Sequence, residues 1–240
     1  MEWISDKLIL ISTESNQGDW HYTFGLFVRN ENTHEIIQLI KELDLSIDNI
    51  NIESMDIPIN SLPDTAPDEV KDLAKKTGKV VGKMVKFIHR KFDQNGDFQG
   101  LESVDLETFE SEGTRKIFAL AGYLVAALKE GSSLVIDEFD ARLHPLISQA
   151  IVKLFNSNET NPNNAQLIFM THDTNLLSNK LFRRDQIWFT EKNRYGATDL
   201  YSLAEYNIRN DASFESDYIK GRYGAIPYLG DLSNLVDIHG

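Results

Sequence analysis

The chain has 240 residues, 41% of them hydrophobic, no cysteine and a formal net charge of −13. That length supports one large core or two modest lobes, and the missing thiols exclude disulfides, thiolate metal sites and cysteine nucleophiles while suiting a reducing compartment, the cytoplasm. The acid excess opposes direct grip on a nucleic-acid backbone, no apolar run approaches the ~20 residues of a membrane span, and Met1-Glu2-Trp3-Ile4-Ser5-Asp6-Lys7 lacks the basic-then-apolar order of a secretory leader.

In chain order, Leu8 to Ser12 and Tyr22 to Val28 read as short strands. Thr33 to Asp44 carries Ile36, Ile37, Leu39, Ile40 and Leu43 at helical spacing, and Ile50 to Ile57 alternates as a strand does. Ser61 to Pro67 holds two prolines and reads as a linker. The spacing then predicts a helix over Asp68 to Val85, with Lys75, Lys76, Lys79, Lys83, Lys86, Arg90 and Lys91 as the basic cluster of the chain, most simply a solvated face. Lys86 to Phe92 reads as a strand running into an Asn95-Gly96 hairpin turn. Asp93, Asn95 and Asp97 do not make a calcium loop, because the glycine falls one place early and the twelfth position is Val104. These readings divide the chain into an α+β segment (1–60), a helical linker or arm (61–91) and a carboxy-terminal lobe (92–240).

The most informative stretch runs from Ser132 to Pro145. Leu134, Val135 and Ile136 end in the adjacent acids Asp137 and Glu138. A short apolar run before an acid pair predicts a buried parallel strand that delivers its acids to the carboxyl edge of a sheet, where open α/β sheets bind ligands. Upstream, Ser111-Glu112-Gly113-Thr114-Arg115-Lys116 opens a 3.6-period stripe of Ile117, Leu120, Ala121, Leu124, Val125 and Leu128, with Gly131 as its stop. Free N–H groups at a helix start favour anions; an ordinary Ser/Thr cap is the simpler reading of this turn alone. Downstream, Gln166 to Met170 predicts a second strand ending in Thr171-His172-Asp173, where a histidine can bond a phosphate oxygen or serve as a structural cap. His144-Pro145 opens another helix. Asn175 to Phe182 reads as a short helix, Ile187 to Phe189 and Leu200 to Leu203 as a late hairpin, and Gly221-Arg222-Tyr223-Gly224 as a tight loop.

On these motifs the chain resembles the carboxy-terminal half of an ABC-type ATPase of the SMC/RecF/OLD-like group, nearest to the bacterial AAA-family ATP-binding proteins of abortive infection and phage defence. Ser111 to Lys116 resembles a divergent signature loop, Leu134 to Asp137 a Walker B strand, Glu138 the catalytic glutamate, Phe139 to His144 a D-loop, and Thr171 to Asp173 a switch-histidine loop. His144 stands where many relatives carry Asp. The likeness continues through Asp185 to Lys192, Asp199 to Glu205 and Gly221 to Pro227.

The resemblance implies an α/β fold: a partial P-loop NTPase sheet of the ABC-head type with flanking helices, lacking the P-loop lobe, plus a small α+β amino-terminal region. It implies ATP and Mg²⁺ as ligands, with Asp137 on the metal, Glu138 on the attacking water and His172 on the γ-phosphate. Ser111, Gly113, Thr114 and Arg115 would reach a partner subunit's nucleotide, and Asp140 to His144 would sense that partner. The implied partners are a second copy in an ATP-dependent dimer or higher oligomer and an effector nuclease or toxin. One departure is large. No Gly-x-x-x-x-Gly-Lys-Ser/Thr occurs, and Thr77-Gly78-Lys79-Val80-Val81-Gly82-Lys83-Met84 has the wrong glycine spacing and ends in Met. The chain therefore reads as a piece of a longer protein or a product without its first half, inactive alone. The alternatives are a non-catalytic docking module and a RecF-like DNA-repair ATPase.

Overall fold

The chain divides into two units, Met1–His172 and Asp173–Gly240; the structure, a computed structural model, describes residues 7–11, 20–44, 46–62, 66, 68–209 and 212–227. In the first unit β1 (Leu8–Ile11) precedes α1 (His21–Arg29), α2 (Thr33–Leu43) and β2 (Ile47–Pro58). Next come α3 (Asp68–Thr77), β3 (Lys79–Phe92), β4 (Phe98–Asp105) and the single turn α4 (Leu106–Phe109). The long helix α5 (Glu112–Glu130), β5 (Ser133–Ile136), α6 (Pro145–Asn156) and β6 (Gln166–Phe169) follow.

Helix α5 is the spine of this unit. Its apolar residues are not confined to one stripe: Ile117, Phe118, Leu120, Ala121, Leu124 and Ala127 are all buried, as a helix enclosed on most sides requires. On one side Ile117, Phe118, Ala121 and Val125 join Leu26 and Phe27 of α1, Ile36 and Ile40 of α2, Ile47 and Ile50 of β2, and Val85 and Phe87 of β3 in one core. Helix α1 is clamped to α5 by the buried Thr23, whose hydroxyl donates to the Ala119 carbonyl at 3.0 Å and accepts the Gly122 N–H at 3.1 Å. That approach needs Gly122, since a Cβ there would stand 2.5 Å from the Thr23 oxygen. Ser111 caps the amino end of α5 by accepting the Thr114 N–H at 3.0 Å.

Two sheets flank this spine. The parallel one has the order β1-β5-β6 and pairs Leu10 with Val135 and Val135 with Ile168. Leu134 and Ile136 are 0% exposed, so the face they share is covered; α5 and α6 lie against β5 and β6. The opposite face is different. Leu10 is 70% exposed, Ile168 51% and Met170 46%, although sheets of this kind are normally covered on both faces. The antiparallel sheet has the order β2-β3-β4. Four of its basic residues meet acids: Lys79 with Asp56, Lys86 with Asp105, Arg90 with Asp48 and Lys91 with Glu102.

The second unit holds the hairpin of β7 (Trp188–Lys192) and β8 (Thr198–Ser202), then α7 (Phe214–Ile219). Phe189, Leu203, Phe214 and Tyr223 form its core. The Gly221 to Ala225 loop is a tight turn with left-handed φ at Gly221, Gly224 and Ala225. Three tyrosine hydroxyls hold it: Tyr201 and Tyr206 donate to the Tyr223 carbonyl at 2.7 and 3.0 Å, and Tyr218 donates to the Ala225 carbonyl at 2.8 Å.

Three sequence expectations fail. Tyr22 to Val28, read as a strand, lies in helix α1: Thr23, Leu26 and Phe27 are the buried face at helical spacing, and the alternating aromatics imitate a strand. The helix expected over Asp68 to Val85 ends at Thr77. Gly78, at φ 78, donates its N–H to the Ala74 carbonyl and turns the chain into β3, so the basic residues from Lys79 onward lie on a strand. Asn175 to Phe182, read as a helix, contains only the 3₁₀ turn Thr174–Leu176 and turns. The expected linker falls partly on residues 63–65 and 67, outside the described residues.

Candidate functional site at the carboxyl edge of the parallel sheet

The acid pair leaves β5 between backbone hydrogen bonds to both neighbouring strands. The Asp137 N–H donates to the Ile11 carbonyl of β1 at 3.1 Å, and the Phe139 N–H donates to the Met170 carbonyl at 3.0 Å. Glu138 lies between these two tethers at φ 47, a left-handed conformation that a residue with a Cβ adopts at a cost. The tethers hold it there with its side chain exposed. Phe139 is fully buried, its ring 4.7 Å from that of Phe169, and anchors the loop behind the acid. One Asp137 oxygen accepts the Glu138 N–H at 2.9 Å.

The end of β6 reaches the same edge. The His172 N–H donates to Asp140 Oδ1 at 3.3 Å, and the histidine itself is exposed. Strand pairing thus brings Asp137, Glu138, Asp140 and His172 around one loop. The amino end of α5 approaches that loop from a different direction. A Cβ on Gly113 would stand 3.1 Å from the Arg142 carbonyl oxygen, and Arg142 pairs with Glu112 at 3.2 Å. Within this loop Arg142 is the second non-glycine residue at positive φ, 68.

The other sequence-expected residues are placed as follows. Ser111 and Thr114 share a hydroxyl contact of 2.9 Å; Thr114 is buried, with Asp44 at 3.5 Å on its other side. Arg115 donates to the Glu107 carbonyl at 3.3 Å, so here its guanidinium braces α4. His144 Nδ1 accepts the Leu146 N–H at 3.2 Å and caps α6, with Pro145 next in line. The segment Thr77 to Met84 runs from helix to strand, the reverse of a P-loop's strand-to-helix order.

Two features escaped the sequence reading. Glu110, beside Ser111, meets His89 of β3 at 2.5 Å and ties the antiparallel sheet to the start of α5. Lys116 is 8% exposed, a lysine inside the core-facing stretch of a helix. The second was legible as a charged residue adjacent to Ile117 in the apolar stripe.

Among the described residues no three acids or histidines are grouped to hold a metal ion. A single half-buried carboxylate at a strand end fits a Mg²⁺ that arrives with phosphate oxygens and water as its other ligands, and does not fit a cation caged by protein alone. When bound, such an ion would neutralise phosphate charge at Asp137.

A parallel sheet with flanking helices is consistent with a P-loop NTPase-like AAA domain. Residues 2–178 match the family described as "AAA domain, putative AbiEii toxin, Type IV TA system", and the chain belongs to that family. No curated protein matches the chain. Among the described residues no helix is long and apolar enough to cross a membrane.

Proposed function

We propose that the chain is the acid-bearing part of an ATP-hydrolysing switch of the ABC type, acting in bacterial toxin or anti-phage defence, whose phosphate-gripping loop comes from another segment. The observation that carries this reading is Glu138, held at φ 47 between two backbone tethers at the carboxyl edge of a parallel sheet, with His172 on the neighbouring strand end. Phosphoryl transfer asks a protein mainly for positioning and charge. In this reading Asp137 takes the metal side of the nucleotide, Glu138 orients or deprotonates the attacking water, and His172 bonds the γ-phosphate. Ser111, Gly113, Thr114 and Arg115 present the start of α5 to a second subunit's nucleotide, with Asp140 and His144 in the loop that meets that subunit. The match to an AAA family tied by its description to a toxin–antitoxin system supports the ATPase and defence contexts.

Among the described residues Leu10, Ile168 and Met170 form an exposed apolar face, a surface on which a further α/β segment could pack. ATP hydrolysis, measured on the chain alone and then with a P-loop-bearing amino-terminal segment of a related AAA protein supplied in trans, tests the reading. Turnover only in the mixture supports it. Turnover by the chain alone would mean that it carries its own phosphate site. Absence of turnover in both would replace the switch by a non-catalytic docking module.

A further inference from the structure

We propose that His89 is a positioning residue for the turn at Ser111–Thr114, acting through Glu110 on the joint from which α5 starts. For its functional consequence the inference rests on the reading of that turn as the surface offered to a second subunit's nucleotide. The joint is two residues long. Helix α4 ends at Phe109 and α5 begins at Glu112; Glu110 and Ser111 between them are both extended, at ψ 150 and 155. Each has two soft backbone dihedrals, so the direction in which α5 leaves the joint depends on what holds these two side chains. Ser111 is tied to the helix itself through the Thr114 N–H at 3.0 Å. Glu110 is tied to a different element: its Oε1 lies 2.5 Å from Nε2 of His89, and its side chain is 8% exposed. A carboxyl this far from water needs a polar partner.

The partner stands on a firm base. Strand β3 is the middle strand of its sheet, and His89 pairs with Ile47 of β2 on one side and Glu102 of β4 on the other. The same strand holds the segment that leads into the joint. Asp105 caps α4 by accepting the Glu107 and Thr108 N–H groups at 2.9 and 3.1 Å, and Lys86 of β3 lies 3.8 Å from it. Beyond the joint, Glu112 pairs with Arg142 at 3.2 Å and a Cβ on Gly113 would stand 3.1 Å from the Arg142 carbonyl oxygen. One residue before Arg142, the Ala141 N–H donates to the Glu138 carbonyl at 3.1 Å. The two acids that flank Ser111 therefore reach different parts of the molecule: Glu110 the antiparallel sheet, Glu112 the loop that carries Glu138. With His89 in place, Ser111, Gly113 and Thr114 keep one position against that loop.

The first test uses the chain without nucleotide and does not depend on ATP turnover. Amide exchange at Thr114 and Arg115 should rise about tenfold in His89→Leu and return in His89→Gln, whose amide nitrogen can reach the same carboxyl oxygen. Amides of β3 and of residues 120–127 should be equally protected in all three. Glu110→Gln, which keeps the side chain's size, should raise the same two amides by less, and it decides alone if His89→Leu does not fold. The double change His89→Leu with Glu110→Leu should match either single change, as one joint requires. Unmoved exchange at Thr114 and Arg115, a rise spread evenly over β3 and α5, or additive effects in the double variant would overturn the proposal. With a P-loop segment and ATP supplied, His89→Leu should weaken ATP-dependent association about tenfold while nucleotide binding by the single subunit is kept, and His89→Gln should restore association. Association unchanged in His89→Leu would also overturn it. If exchange responds as expected and the parent mixture neither associates nor hydrolyses ATP, the functional reading fails while the joint stands.

Discussion

Glu138 pays for its exposure with backbone strain and keeps it through neighbours that are themselves fixed. Its φ of 47 is sustained by the Asp137 and Phe139 tethers and by the buried Phe139 ring. Removing only its charge should leave that frame intact. Glu138→Gln is therefore expected to abolish ATP turnover in the P-loop-supplied mixture while ATP-dependent association, followed by light scattering, persists or tightens. Normal turnover in that variant would remove Glu138 from the chemistry. His144 makes a different contribution. Its Nδ1 accepts the Leu146 N–H, so His144→Ala should cost about 1 kcal/mol in urea unfolding, whereas His144→Asp, a good cap, should cost little. Equal losses would show that the imidazole contributes through contacts other than the cap. The sequence made Asp137, Glu138 and His172 legible because strand ends announce themselves as apolar runs stopping at polar residues. It could not show that Thr114 turns inward or that Arg115 braces α4, since the first depends on Asp44, 70 residues away, and the second on how the chain turns between Glu107 and Arg115.

At the scale of elements, legibility followed the strength of a single period. Strands β5 and β6 and helices α2 and α5 were readable because their apolar spacing, caps and stops agree. Helix α1 was not: its ring-rich sequence has strand character, and contact with α5 through Thr23 decides the matter. Strand β3 was merged with α3 because the lysines run across the boundary, although Gly78 marked it. The α1–α5 contact also gives an exact steric expectation. Gly122→Ala should destabilise the first unit by about 1–3 kcal/mol in urea unfolding, because the added Cβ meets both Thr23 and Leu26. A neutral result would mean that the two helices separate easily, and the clamp would not be a stabilising feature. The basic cluster changes meaning once β3 is a strand. Four of its side chains face acids on β2 and β4, which leaves little net field for a phosphate backbone.

Taken whole, the molecule divides into two units, and the second carries its own alkaline-sensitive group. In the second, burial first, then Glu191 and Tyr206, raise Tyr201 well above an ordinary tyrosine. The stabilisation associated with its protonated form is complete below the unfolded tyrosine value near pH 10 and is lost as pH rises from there toward the folded value. Amide exchange of the β7–β8 hairpin should therefore accelerate above about pH 10 beyond the intrinsic base-catalysed rate. Tyr201→Phe should flatten that excess while raising exchange at neutral pH through loss of the hydrogen bond to the Tyr223 carbonyl. An unchanged alkaline profile in the variant would assign the effect to another group.

The bare side of the parallel sheet has a consequence for how the polypeptide behaves when handled by itself. Leu10, Ile168 and Met170 present oily surface that no described element covers, the kind of surface that drives sticking between copies and capture by chaperones. Purified alone, the chain should show an apparent size that grows with concentration in sedimentation velocity, and a dye that fluoresces on apolar surfaces should bind it. Ile168→Glu should reduce both effects without disturbing the loop at Glu138. If the variant sticks as readily as its parent, the greasy contact lies elsewhere. If instead Ile168→Glu removes both effects, the yield of the free chain in a cell is set by colloidal behaviour on this one face more than by folding energy.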